Sequence, residues 1–153
     1  MKPIVLPLTV DEAFDSPKFV ALCNEYRAES LRNPDGESAV PDRAAYENMI
    51  AAGIMRPLGV FVDNDLVGFC AVLITPVPHY GGRVLASTET LFVARAHRAG
   101  GAGITLLRAA EDVAHEAGAS GLYVSAPVGG VLERVLPGLG YHETNRVFFR
   151  GRT

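Results

Sequence analysis

Arg98, Gly100, Gly101 and Gly103 crowd together just ahead of a segment with helical apolar spacing. The chemistry this suggests is anion binding. The first N–H groups of a helix have no intrahelical partner, and the helix dipole favours negative charge at that end. Glycine lets a phosphate reach the backbone without meeting a Cβ. Arg98 adds a positive charge, and the first helical turn carries no acidic residue. A second group with chemical potential is Glu89, in the polar cluster Ser87, Thr88, Glu89 and Thr90 of an otherwise apolar run. A carboxylate so placed can take a proton from an ammonium or simply bind it. Glu25 and Glu29, at i and i+4 around Tyr26, form a carboxylate pair that reads as a cation attractor or as a solvated helix face. No His, Cys or carboxylate set has metal-ligand spacing, so no metal is expected.

The elements that position these groups follow from periodicity and turn chemistry. Residues Pro3 to Thr9 read as a strand. Ser16 is a candidate N-cap and Pro17 a first helical residue, ahead of Phe19, Leu22, Cys23 and Tyr26 at helical spacing. Asn33-Pro34-Asp35-Gly36 is a turn, and a second helix runs from near Pro41 to Gly53. Leu58 to Val62 and Leu66 to Thr75 are strands joined at Asp63-Asn64-Asp65, a hairpin turn. Pro76 to Gly82 is a loop, and Arg83 to Val93 a long strand. After the glycines, Gly103, Leu106, Leu107, Ala110, Val113, Ala114 and Ala117 share an arc of roughly 120°. Gly118 is the natural stop. Gly121 to Ser125 is a strand in parallel crossover with the one before the glycines. A short helix spans Pro127 to Leu136, and Tyr141 to Asn145 and Val147 to Arg150 read as closing strands. The expected class is α/β (α+β), with a mixed, mostly antiparallel sheet of about seven strands and about four helices.

The chain has 153 residues, 48% hydrophobic and 20% charged, and reads as one globular domain over 1–153. A net charge of −3 argues against nucleic acid as the main partner. Cys23 and Cys70 sit in apolar patterns and are expected as buried free thiols. Pro3, Pro7, Asp11 and Glu12 interrupt what would otherwise resemble a signal peptide, and no apolar run has membrane-spanning length. The expected location is the cytoplasm.

Three phosphate-binding patterns compete at the glycines. A P-loop needs a lysine followed by Ser or Thr after the last glycine, where Ile104-Thr105 stands. A dinucleotide fingerprint needs glycine at Leu106 and an acidic residue after the next strand, and Gly121 to Ser125 offers none. The third pattern, Arg-x-x-Gly-x-Gly, is met by Arg98, Gly101 and Gly103. With the order strand, two helices, three-stranded meander, motif helix, strand, helix, two strands, it resembles the Gcn5-related N-acetyltransferase (GNAT) superfamily over nearly the whole chain.

That resemblance implies acetyl-CoA as acyl donor. Arg98, Ala99, Gly100, Gly101, Ala102, Gly103, Ile104 and Thr105 would hold its pyrophosphate. Its pantetheine arm would pair with Leu91, Phe92 and Val93, where the family's sheet splays, and the Val93 N–H would polarise the thioester carbonyl. Glu89 would be the general base. Many relatives carry a tyrosine acid just ahead of a Leu-Gly-aromatic ending. The ending is present as Leu139-Gly140-Tyr141, but Leu136 occupies the tyrosine's position. Tyr141, Tyr123, His142 or water remain as substitutes. Glu25, Tyr26, Glu29, His79 and Tyr80 are candidates for the acceptor side. The implied activity is direct transfer of an acetyl group to a primary amine, on a small molecule or a peptide, in a ternary complex. Homodimers are common on this fold. The alternatives are a non-catalytic acyl-CoA-binding or protein-interaction module on the same fold, and a nucleotide-binding protein of another fold.

Overall fold

The computed structural model describes residues 2–29 and 40–152. The expected turn at Asn33-Pro34-Asp35-Gly36 lies outside them. In chain order the elements are β1 (Ile4–Pro7), α1 (Val10–Phe14), α2 (Pro17–Glu29), α3 (Arg43–Ala51), β2 (Met55–Val62), β3 (Asp65–Val77), β4 (Arg83–Val93), α4 (Ala102–Glu116), β5 (Leu122–Tyr123) and α5 (Val131–Val135). Short 3₁₀ turns lie at Pro78–Tyr80, Arg95–Gly100 and Pro137–Leu139. The sheet runs β1-β2-β3-β4-β5, antiparallel until β5 joins β4 in parallel.

Local chemistry accounts for most element boundaries. Asp63 (φ 52°) and Asn64 (φ 68°) both adopt left-handed backbone, and Val62 pairs with Asp65. This is the two-residue hairpin whose twist suits its strands. Asp42 caps α3, its Oδ1 accepting from Ala45 N at 3.1 Å. The helix α1 was not expected from the sequence. Its signal is Thr9 followed by Glu12, for Thr9 Oγ1 accepts from Glu12 N at 3.1 Å. Arg43 then ties α1 to α3 by pairing with Asp11, with Asp15 (2.9 Å) and with Glu47 (3.2 Å).

Two apolar clusters cover the two sheet faces. On one, Leu106, Ala110 and Ala114 of α4 meet Leu58, Val60, Val72 and Ala86. On the other, Phe19 and Leu22 of α2 meet Leu66, Phe69 and Phe92. The strands β3 and β4 approach closely at Gly68, where a Cβ would lie 2.5 Å from Phe92 O.

The expected sheet of about seven strands is corrected to five among the described residues. Residues 141–152 carry no strand, and Val147, Phe148 and Phe149 stand exposed. Strand propensity at Val147 to Phe149 needs a paired edge to act on. The available edge, β5, is cut to two residues, because beyond it Ser125 N donates to the Thr88 side chain (3.2 Å) instead of a β4 carbonyl. The expected helix at Pro127 to Leu136 forms only over Val131–Val135.

Candidate active site

The glycine turn forms where β4 ends. Residues Arg95–Gly100 wind as a 3₁₀ turn, Gly101 takes a left-handed φ of 83°, and α4 begins at Ala102. A non-glycine residue is disfavoured at that φ. The first bonds back to the cap are Thr105 N (3.0 Å) and Thr105 Oγ1 (2.9 Å), both to Gly101 O. The N–H groups of Ala102, Gly103 and Ile104 precede it and have no intrahelical acceptor. A Cβ built on Gly100, Gly101 or Gly103 meets nothing within 4 Å, so this rim is open to a ligand.

Arg98 does not project freely over that rim. Its Nε donates to Val93 O at 2.8 Å, its Nη2 donates to Glu29 Oε2 at 2.6 Å, and its guanidinium lies 5.4 Å from the Phe92 ring centre. Glu25 Oε1 accepts from Arg95 N at 2.9 Å. The carboxylate pair of α2 therefore faces the glycine turn and braces it. Between them Tyr26 turns to the sheet, edge-on to Phe69 and Phe92. His97 is exposed on the same turn.

The edge of β4 beside the turn is open. Ala94 N donates to Val67 O at 2.8 Å, which sets the phase of the β3–β4 ladder. In that phase the pairs Phe69–Phe92 and Ala71–Thr90 exchange hydrogen bonds, and Leu91 and Val93 turn their N–H and C=O away from β3. The β4–β5 pairing covers only Ala86 and Ser87, so the Leu91–Val93 edge faces the gap beyond β5.

Between the open edge and the β5 pairing the ladder breaks. Thr90 pairs with Ala71 and Thr88 with Val72, leaving Glu89 as the extra residue of a β-bulge. A bulge re-aims the side chain it carries. Glu89 and Thr90 both line a groove of about 630 Å³ under α1, α2 and α3. Tyr46 of α3 donates its hydroxyl to the Glu89 carboxylate, 2.9 Å from Oε2 and 3.2 Å from Oε1. Burial, then the Glu89 charge, push the Tyr46 phenol well above its ordinary range, so it stays a protonated donor. The same groove is lined by Cys23, whose thiol burial pushes up to about 11, a neutral group rather than a nucleophile.

The other candidates lie apart from Glu89. Tyr141 donates to Glu111 Oε1 of α4 at 2.6 Å, on the sheet face opposite the groove, and burial followed by that bond pushes its phenol up. Leu136 is buried, and its carbonyl accepts from Tyr141 N at 3.1 Å. His79 and Tyr80 sit edge to face on the 3₁₀ turn ahead of β4, at its far end from Val93. Tyr80 and Tyr123 line a separate concavity there. His142 is exposed. Tyr46 escaped the sequence reading because its contact with Glu89 spans 43 residues, and its own helix shows no pattern that marks it.

The geometry fits coenzyme A: open glycine positions and first-turn N–H groups without a helical acceptor for a pyrophosphate, and the Leu91 and Val93 N–H groups, turned away from β3, for the amide-bearing arm. Among the described residues no group of three His, Cys, Asp or Glu could hold a metal ion. No helix among them is long and apolar enough to cross a membrane. Both cysteines are free.

Solved structures share this architecture. A ribosomal-protein-alanine N-acetyltransferase from Brucella melitensis biovar Abortus 2308 is 23% identical, with 100% of both chains covered and a TM-score of 0.73. An aminoglycoside acetyltransferase from an uncultured soil metagenomic sample, in complex with sisomicin, is 18% identical over 99% of this chain and 97% of that one (TM-score 0.72). Glucosamine-6-phosphate N-acetyltransferase from Arabidopsis thaliana is 10% identical over 99% of each (TM-score 0.76). No curated protein matches the sequence. The chain belongs to the GNAT acetyltransferase family, whose model, described as Acetyltransferase (GNAT) family, matches residues 20–130.

Proposed function

We propose that this protein is an acetyl-CoA-dependent N-acetyltransferase that moves the acetyl group directly to a primary amine in a ternary complex. The observation that carries the reading is the bulge at Glu89. It turns a carboxylate into the groove within four residues of strand whose N–H groups at Leu91 and Val93 face the gap beyond β5. A donor lying along that edge and an acceptor in the groove meet at the bulge.

In this reading Glu89 takes the proton from the acceptor ammonium, directly or through water, and Tyr46 holds the carboxylate in place. The Val93 N–H stabilises negative charge on the acyl oxygen as the C–N bond forms and the C–S bond breaks. The first turn of α4 and Arg98 hold the pyrophosphate. No side chain is assigned to protonate the thiolate. Tyr141 is engaged by Glu111 across the sheet, and a coenzyme A thiolate leaves without strong assistance. A cytoplasmic location and a homodimer belong to the same reading.

A second reading, a coenzyme A-binding module without catalysis, draws support from Leu136 in the tyrosine's position. One experiment separates the two. The full chain is incubated with acetyl-CoA and amines of several classes, and free thiol and product mass are followed. Transfer of one acetyl group, abolished or cut at least ~100-fold in Glu89→Gln across pH, is expected for the enzyme. Full rate in that variant would remove Glu89 as base. Binding of coenzyme A without turnover of any amine would favour the module.

A further inference from the structure

The groove that receives Glu89 has a composition that selects among amines. Its walls include Phe14, Phe19, Val20, Met49 and Met55, contributed by both α-helices and sheet. The charged residues among its described lining are Glu89, Asp42 and Arg27. The Asp42 carboxylate is engaged as the cap of α3, accepting from Ala45 N. Arg27 donates from Nη2 to Asn24 Oδ1 at 2.8 Å and brings a positive charge to the same wall. A polyamine or an aminosugar would need several acceptors for its ammonium and hydroxyl groups. Among the described lining, Thr9, Asn24 and Thr90 are neutral and no carboxylate besides Glu89 and the capping Asp42 is present, so most of those ammonium groups would lose water without gaining an opposite charge. One ammonium on an apolar body meets complementary surroundings throughout, the charge at Glu89 and the body along the side chains of α1 to α3.

Building on the transferase reading above, we infer that the acceptor is a small primary amine bearing a single ammonium on an aromatic or branched aliphatic body. Selectivity then comes from burial of that body. Each methylene that enters the groove raises kcat/KM by about fourfold until the groove is filled. The residues that set this preference include Met49 on α3 and Val20 on α2, outside the glycine turn and β4.

The test uses the full chain with acetyl-CoA and five amines: n-butylamine, 2-phenylethylamine, 4-phenylbutylamine, spermidine and kanamycin. Binding of 4-phenylbutylamine alone is measured by calorimetry in parallel. The expected result is that kcat/KM rises from n-butylamine to 4-phenylbutylamine and is lowest for spermidine and kanamycin. Met49→Lys should cut kcat/KM for 4-phenylbutylamine by ~10-fold or more and leave coenzyme A affinity unchanged. Should Met49→Lys not fold, Val20→Lys, at a site 53% exposed, takes its place with the same direction expected. Acetylation of spermidine or kanamycin in preference to the phenylalkylamines overturns the inference and leaves the transferase intact. Binding of 4-phenylbutylamine, weakened by the lysine variant, with no acetyl transfer to any amine sustains the ligand class and overturns the transferase. If the phenylalkylamines are neither bound nor acetylated, the inference is overturned.

Discussion

Arg98 and Glu29 form an ion pair at 2.6 Å that joins the glycine turn to the last turn of α2. Their side chains are 29% and 37% exposed, so water screens the pair only in part. Glu25, one helical turn earlier, accepts from the backbone of the same 3₁₀ turn. The helix that lines the groove with Cys23 and Tyr26 thus grips the glycine turn with Glu25 and Glu29. In the proposed reading this one helix borders both the acceptor and the cofactor.

The pair sets two predictions of opposite sign for coenzyme A. Arg98→Glu should weaken binding by ~10-fold or more, since it places a negative charge where a pyrophosphate is held. Glu29→Gln removes the negative charge paired with the Arg98 guanidinium, leaving more of its positive charge for an anion, and should leave affinity equal or a few-fold tighter. It should lower stability by no more than about 1 kcal/mol, as a partly exposed pair does. Calorimetric titration of coenzyme A at low and high salt reads the first effect, and urea unfolding the second. Equal affinity in wild type and Arg98→Glu would show that the turn does not bind the pyrophosphate.

Tyr46→Phe removes the hydroxyl that donates to both oxygens of Glu89. With its orientation relaxed, the carboxylate should support a kcat lower by ~10-fold, at unchanged coenzyme A affinity. Because Tyr46 acts through Glu89, the variant Tyr46→Phe/Glu89→Gln should be no slower than Glu89→Gln alone. Multiplying effects in that double variant would mean that Tyr46 contacts the substrates itself.

Two glycines should respond differently to alanine. At Gly68 the new methyl would sit 2.5 Å from Phe92 O and 2.9 Å from Val60 Cγ1, and the backbone cannot give way cheaply. Gly68→Ala should cost about 1–3 kcal/mol of stability. At Gly103 nothing lies within 4 Å, and alanine favours helix. Gly103→Ala should keep or raise stability and yet reduce coenzyme A affinity at least ~10-fold, as a methyl group blocks approach to the backbone. Chemical denaturation and ligand titration on both variants separate the packing role from the binding role. A Gly103→Ala protein that binds coenzyme A normally would contradict the assigned site.

What could be read from the sequence was local chemistry. The Asp63-Asn64 turn and the span of α4, with its stop at Gly118, are set by residues within a turn of one another, and both stand as expected. The capping pair Thr9 and Glu12 is equally local, and its signal lay in plain sequence. The closing strands failed because pairing depends on an edge elsewhere in the chain, and β5 supplies almost none. Helical spacing placed Glu25 and Glu29 on one face but could not say that the face meets Arg95 and Arg98. The bulge at Glu89 is a mismatch in count between two strands, which no single strand displays, and its partner Tyr46 is remote in sequence. The glycine turn, built from consecutive residues, was therefore legible, whereas the bulge at Glu89 and its contact with Tyr46 were not.

The buried thiols predict a loss of stability in alkali. Burial pushes the Cys70 thiol from its ordinary value of 9.0 up to about 12, and that of Cys23 up to about 11. Both values are raised, so the folded state holds the neutral thiol and the unfolded chain loses its protons first. The contribution is complete below pH 9.0 and disappears as the pH climbs through the folded values. For Cys70, fully enclosed beneath α4, the gap corresponds to at most ~4 kcal/mol. Cys23, only partly buried, adds less, since water reaches it. Urea unfolding should show no thiol-linked change up to pH 9.0 and a steady decline above it. Cys70→Ala leaves a small cavity costing ~1 kcal/mol at neutral pH, but the variant should lose less on going to alkali than the wild type. If the two proteins decline in parallel, the thiol is not the group responsible, and the raised phenols of Tyr46 and Tyr141 become the source.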